Sequence, residues 1–315
     1  MISKLRKWDS SFILIAPIVW VVWLIMVLLV LQPSDLELTR FYENRWLPGY
    51  FDLILGVVLV IIAAFAMNRV VQNSVLLGRI SNFPMFFLVV LAAFFAPYTL
   101  GLDGGLLLLI QVPLLRYILD LPEGHRSHAL AYNSGLIIGG MAFLEPWSVL
   151  LIVVVLQAML STGLLDLRKF ILHLLGVATP IYLLNSFLFL ADEALMFPSF
   201  TMALNLQTFQ TLGLKDAAQL GVLLILVVFA ILSLVQISSH STLREKRKWF
   251  LVVTYATVAF ACMLLVGFNR GYYLTVVPGA IILARLFLNG SNKRGLNLAL
   301  LVLFSCWVLA IFLGS

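Results

Sequence analysis

Residues 51–67 read FDLILGVVLVIIAAFAM, an unbroken apolar run whose one charge, Asp52, stands at its leading edge. The strands of a membrane barrel alternate apolar and polar residues over ~10 positions, and no alternation is present here. A continuous run approaching ~20 residues has the length of a helix crossing ~30 Å of hydrocarbon, a medium in which the helix satisfies its own backbone groups. Comparable runs occur at 11–31, 83–97, 104–119, 129–144, 146–162, 170–191, 217–237, 249–267, 272–288 and 295–313. The sequence therefore predicts an all-α, polytopic membrane protein with about 11 transmembrane helices, forming a single transmembrane helical domain over residues 1–315.

Composition supports this reading. Of 315 residues, 63% are hydrophobic and 11% charged, less than half the ~25% charge of an ordinary soluble domain. That balance excludes a soluble globular enzyme, and no long polar segment leaves room for a separate aqueous domain. The basic start at Met1–Trp8 resembles a signal peptide, but the apolar run continues to Leu31, which predicts a retained first helix. Cys262 and Cys306 lie inside apolar runs and read as packing residues. His125, His128, His173 and His240 lack metal-binding spacing, and no Gly-rich nucleotide loop is present.

The charges set an orientation. With a cytoplasmic N-terminus, 16 of the 20 Lys and Arg residues fall on the inner side, leaving Arg40, Arg45, Lys215 and Arg270 outside. Cytoplasmic loops carry such an excess, so the formal charge of +6 belongs to the inner face and implies no nucleic acid partner. An odd number of spans places the C-terminus outside. Nine of the 14 carboxylates lie on the outer side, and two outer connections have appreciable length, residues 32–50 and 192–216. In the second, Met202–Leu214 is amphipathic and suits the plane of the interface. The inner segment Ser238–Lys248 reads as a loop with a basic cluster, Arg244–Lys248.

Three groups of residues could carry chemistry. Asp35 and Glu37, just beyond the first span, suit general-base work or coordination of a divalent cation; their plainer reading is a solvated loop paired with Arg40 and Arg45. Arg270, followed by Tyr272 and Tyr273 at a tight junction between spans, could grip a phosphate in bidentate fashion, or simply belong to an interfacial aromatic belt. In the stretch from Tyr132 and Asn133 to Glu145-Pro146, Gly135 and Gly139 share a helix face that permits close helix approach. Glu145 then either turns the chain or faces a cavity.

These segments resemble polyprenyl-phosphate-dependent glycosyltransferases of the GT-C fold. The likeness rests on the acid pair Asp35 and Glu37, on Gly135-Leu136 through Glu145-Pro146, and on Arg270-Gly271-Tyr272-Tyr273 preceding Pro278. The chain departs from that pattern in its short first outer loop, in Gly271 between Arg270 and Tyr272, and in Glu145 where a lysine is usual. Through Tyr132-Asn133-Ser134-Gly135, Phe143-Leu144-Glu145-Pro146 and Leu175–Pro180 it is also similar to an uncharacterised integral-membrane family of Bacteroidetes, which implies no function. The GT-C resemblance implies a bacterial inner-membrane enzyme that moves a sugar from a polyprenyl-phosphate donor to an outward-facing acceptor. It gives Asp35 and Glu37 catalytic roles, or the binding of Mg or Mn. Arg270, Tyr272 and Tyr273 become donor-phosphate residues, with Glu145, Tyr132 and Asn133 lining a cavity. Membrane lipids and a membrane partner subunit are the remaining expected partners. The alternatives are a non-catalytic scaffold or accessory subunit, and a lipid-carrier or solute transporter.

Overall fold

The computed structural model describes residues 49–77, 81–95, 101–121, 127–161, 166–197, 242–266 and 268–289, with isolated positions at 221 and 228. Among them are eight α-helices: α1 Gly49–Asn73, α2 Phe83–Phe94, α3 Leu102–Asp120, α4 Ser127–Leu144, α5 Ile152–Ser161, α6 Leu167–Leu190, α7 Leu243–Val266 and α8 Phe268–Asn289. A 3₁₀ segment, Pro146–Leu151, leads into α5. Eight of the eleven apolar runs coincide with these elements; the runs at 11–31, 217–237 and 295–313 lie outside the described residues, apart from those two positions. Three helical segments, Ile54–Asn73, Leu102–Asp120 and Leu167–Leu190, are long and apolar enough to cross a membrane, which points to a membrane location.

Local chemistry sets where the helices begin. Ser81 Oγ accepts the Phe83 N–H at 3.2 Å and Pro84 occupies the first turn, so α2 starts where a proline costs no hydrogen bond. At α7 the Thr242 N–H donates to Glu245 Oε2 at 3.1 Å and the Glu245 N–H donates to Thr242 Oγ1 at 3.3 Å. This reciprocal box starts the helix at Leu243, six residues before the apolar run at 249. The expected basic loop is corrected accordingly: Arg244–Lys248 form the first turns of α7.

Tertiary bonds define two ends. Lys248 Nζ donates to Ser74 O at 3.0 Å, while Trp249 Nε1 and Arg285 Nη1 donate to Leu76 O at 3.0 and 3.2 Å. The start of α7, the end of α8 and the α1–α2 linker therefore share an end, which also carries Arg69, Arg116, Arg168 and Lys169. At the opposite, acidic end the Phe95 ring stacks on Tyr272 with centroids 4.6 Å apart, joining the end of α2 to the start of α8. The middle of the bundle is apolar, with α3 and α8 contributing long buried faces.

The linker held at the basic end is strained. Val75 has φ 53°, a left-handed conformation that a β-branched residue adopts at a cost of about 1–3 kcal/mol. The bonds to Ser74 O and Leu76 O on either side hold it there.

α4 and α6 run parallel and pack by backbone. A methyl group at Gly135 would strike the His173 carbonyl oxygen; at Gly139 it would strike that of Val177, and at Gly176 that of Tyr132. The expected close approach at Gly135 and Gly139 is thus present, with Gly176 as its counterpart. Between helices in apolar surroundings, where water expulsion gives little drive, such small-residue seams supply the attraction.

Two stability changes follow. Gly139→Leu should lower stability by ~1–3 kcal/mol or more through overpacking, read as a lower midpoint in thermal unfolding of detergent-solubilised protein. Val75→Gly should raise that midpoint, relieving about 1 kcal/mol or more of backbone strain; an unchanged or lower midpoint would show that the strain is not stored there.

Candidate functional site

The acidic end is built around the turn after α4. Glu145 precedes a proline, and the Pro146 ring pushes the preceding residue out of the helical region. Glu145 accordingly has φ −141° and ψ 101°, and the 3₁₀ segment starts at Pro146. The turn keeps its bonds: Glu145 N–H donates to Met141 O at 2.8 Å, and Ser148 N–H donates to Glu145 O at 3.0 Å. The Glu145 side chain is buried and lies within electrostatic reach of Cys262 on α7. Cys262 Sγ in turn donates weakly to Trp147 O at 3.4 Å.

From there a polar line continues into the bundle. Tyr255 stands seven residues before Cys262, two turns away on the same face of α7. Its hydroxyl donates to Gln111 Oε1 at 3.0 Å, and Gln111 Nε2 donates to Tyr273 O on α8 at 3.0 Å. Gln111 and Tyr255 are both fully buried. One carboxamide therefore uses its donor on one helix and its acceptor on another, pinning the middles of α3 and α7 to α8 near its start. An amide can do this without charge, which suits a depth where an ion is costly.

The sequence-predicted residues fall into three groups. Asp35 and Glu37, the expected catalytic and metal-binding pair, lie outside the described residues. Arg270 is in the first turn of α8, where its backbone is described and its side chain is not. Tyr272 is buried beneath Phe95, with its carbonyl accepting from Thr275 Oγ1 at 2.8 Å; Tyr273 is half-buried and held through its carbonyl by Gln111. The fold places Tyr272, Tyr273, the Arg270 backbone and Glu145 at one end.

Tyr132 and Asn133 belong to the other half of α4. Thirteen residues separate Tyr132 from Glu145, about 20 Å along a helix axis, so these two are not neighbours. Thr179 Oγ1 donates to Leu175 O at 2.7 Å, which leaves it to accept from the Tyr132 hydroxyl at 3.1 Å. Asn133 is half-buried. One turn away His173 is fully buried in the glycine seam. Its Nδ1 lies 2.9 Å from Ala131 O and 3.2 Å from Ser134 Oγ, and since a carbonyl only accepts, the proton belongs on Nδ1. Nε2 has no partner among the described residues.

Gln111, Tyr255 and His173 are the polar residues that sequence reasoning missed as structural contacts. Gln111 was visible as the one amide inside the run 104–119, yet its partners lie 144 and 162 residues away.

Tyr255→Phe should remove one bond and leave Gln111 Oε1 bare, lowering stability by ~1–3 kcal/mol. Gln111→Leu in the same background should cost much less than it does alone. A double-mutant cycle by thermal unfolding checks this, and fully additive effects would show that the bond is not made.

No curated protein and no solved structure matches the chain. A family description matches residues 1–313, nearly the whole chain, and the protein belongs to that family, DUF6427, a family of unknown function.

Proposed function

We propose that the protein is a multi-pass glycosyltransferase of the bacterial inner membrane, GT-C-like, with about 11 spans, its N-terminus inside and its C-terminus outside. The acidic end then faces outward and carries the reaction. The observation that supports this most is the shared placement of two turns: the first turn of α8 with Arg270, and the turn holding the buried Glu145. The first-turn amides of a helix and an arginine both favour an anion, so a donor phosphate suits this position. Tyr272 and Tyr273, anchored by Phe95 and Gln111, fix the start of α8.

In the transfer, a hydroxyl of the acceptor attacks the anomeric carbon of the sugar and its bond to the polyprenyl phosphate breaks. Asp35 takes the hydroxyl proton, and Arg270 stabilises the phosphate as its charge grows. Glu37 assists the base. Asp35 and Glu37 would hold a divalent cation, which would supply stabilisation of the leaving phosphate.

The second reading, a non-catalytic scaffold or accessory subunit or a lipid-carrier or solute transporter, draws on the Gln111–Tyr255 pair. It sets uncharged hydrogen-bonding groups near mid-length, as a solute path would require.

Membranes supplied with a labelled polyprenyl-phosphate sugar and an acceptor glycan separate the two. Asp35→Ala with Glu37→Ala should lower transfer by on the order of 10²-fold or more, the scale of a general base, and Arg270→Ala should weaken donor use. Transfer retained by the double variant would refute the catalytic assignment. Substitutions silent there, with Gln111→Leu abolishing solute uptake, would favour transport.

A further inference from the structure

We propose that the outward face of α7 at the basic end is a binding site for an anionic phospholipid, with Arg247 holding the headgroup phosphate and a shallow stripe below it taking an acyl chain. Leu243, Arg247, Phe250, Thr254, Thr257 and Ala261 recur at alternating spacings of four and three, so they line one face of α7. The opposite face, with Lys248, Trp249, Tyr255 and Cys262, is buried in the bundle. Leu243 is 67% and Phe250 50% exposed, while Arg247, Thr257 and Ala261 are exposed and Thr254 is half-buried.

The chemistry of this stripe changes along its length. At the top stands Arg247, a guanidinium that makes no hydrogen bond or ion pair among the described residues, between exposed Leu243 and Phe250. Arg244 lies one turn before it and adds to the positive field, which complements a phosphate. Below Phe250 come two threonines, but their hydroxyls are turned inward. Thr254 Oγ1 donates to Phe250 O and Thr257 Oγ1 to Val253 O, both at 2.9 Å. The threonines therefore present methyl groups, and with Ala261 they form a shallow apolar track bounded above by an aromatic ring.

The dimensions also fit a lipid. Arg247 and Ala261 are separated by fourteen residues, about 21 Å along the helix, more than the ~15 Å of one leaflet's hydrocarbon. The top of the site is rigid, because Lys248 and Trp249, immediately after Arg247, are bonded to the α1–α2 linker. The capping box matters here as well, since it makes residues 243–248 helical and brings Leu243 and Arg247 into line with the apolar track.

The test uses the full-length protein in mild detergent, titrated with phosphatidylglycerol, phosphatidylcholine or inorganic phosphate while thermal unfolding is followed. Phosphatidylglycerol should raise the midpoint by several degrees, and the other two should not. Arg247→Gln should weaken apparent phosphatidylglycerol affinity at least fivefold and Phe250→Ala should weaken it too. Arg247→Lys should retain part of the effect. Arg168→Gln, which removes an exposed cation on α6 at the same end, should leave it unchanged. Equal losses in the Arg247 and Arg168 variants would reduce the effect to general charge and overturn the site. An equal response to inorganic phosphate would assign the chemistry to a free anion, and an equal response to phosphatidylcholine would show that Arg247 reads no headgroup.

Discussion

Helices packed against helices in apolar surroundings gain little from expelling water, so close backbone contact and a small number of hydrogen bonds must hold them together. The structure answers this constraint in three places. Gly135, Gly139 and Gly176 bring α4 and α6 into backbone contact. Gln111 pins α3 to α7 and α8 through one side chain. At the basic end Lys248, Trp249 and Arg285 hold the α1–α2 linker by its carbonyls, and Arg285 also lies over the Trp249 ring, 4.4 Å from its centroid. Each site serves backbone groups or neutral partners, and none places an unpaired charge deep in the bundle.

The same constraint explains which parts of the fold were legible in the sequence. An apolar run long enough to satisfy its own backbone marks a helix, so the eight described helices fall on expected runs. Glu145-Pro146 marked a break because proline restricts its predecessor, and the paired glycines announced a tight seam. The start of α7 was readable too, in the spacing of Thr242 and Glu245, but a reading based on apolar length places it at residue 249. Hidden features depend on distant partners. Nothing near Gln111 in sequence indicates Tyr255 or Tyr273, and nothing near Val75 indicates that flanking carbonyls are gripped by α7 and α8. A β-branched residue is the least expected occupant of a left-handed position.

The candidate site was legible in part for a related reason. Charge is scarce, so its distribution is informative: the described cations other than Arg270 gather at one end of the bundle, and Asp103, Glu145, Asp192 and Glu193 lie at the other. The turn of Arg270 and the turn of Glu145 share that acidic end. Tyr132 and Asn133 do not, because they stand in the first half of α4, about 20 Å of helix before Glu145, a separation already implied by their place early in the run 129–144. From Glu145 the polar line continues through the neutral side chains of Cys262, Tyr255 and Gln111 toward α8, and so links the acidic surface to the start of the helix that bears Arg270.

The central claim is that this charge-segregated bundle presents its acidic end to the outside. It is tested most directly by labelling single cysteines in intact spheroplasts with a membrane-impermeant thiol reagent, after Cys262 and Cys306 are replaced by alanine. A cysteine at Glu193 should label at once, and one at Arg247 only after the membrane is permeabilised. Labelling of the Arg247 position in intact spheroplasts, with the Glu193 position protected, would contradict the account.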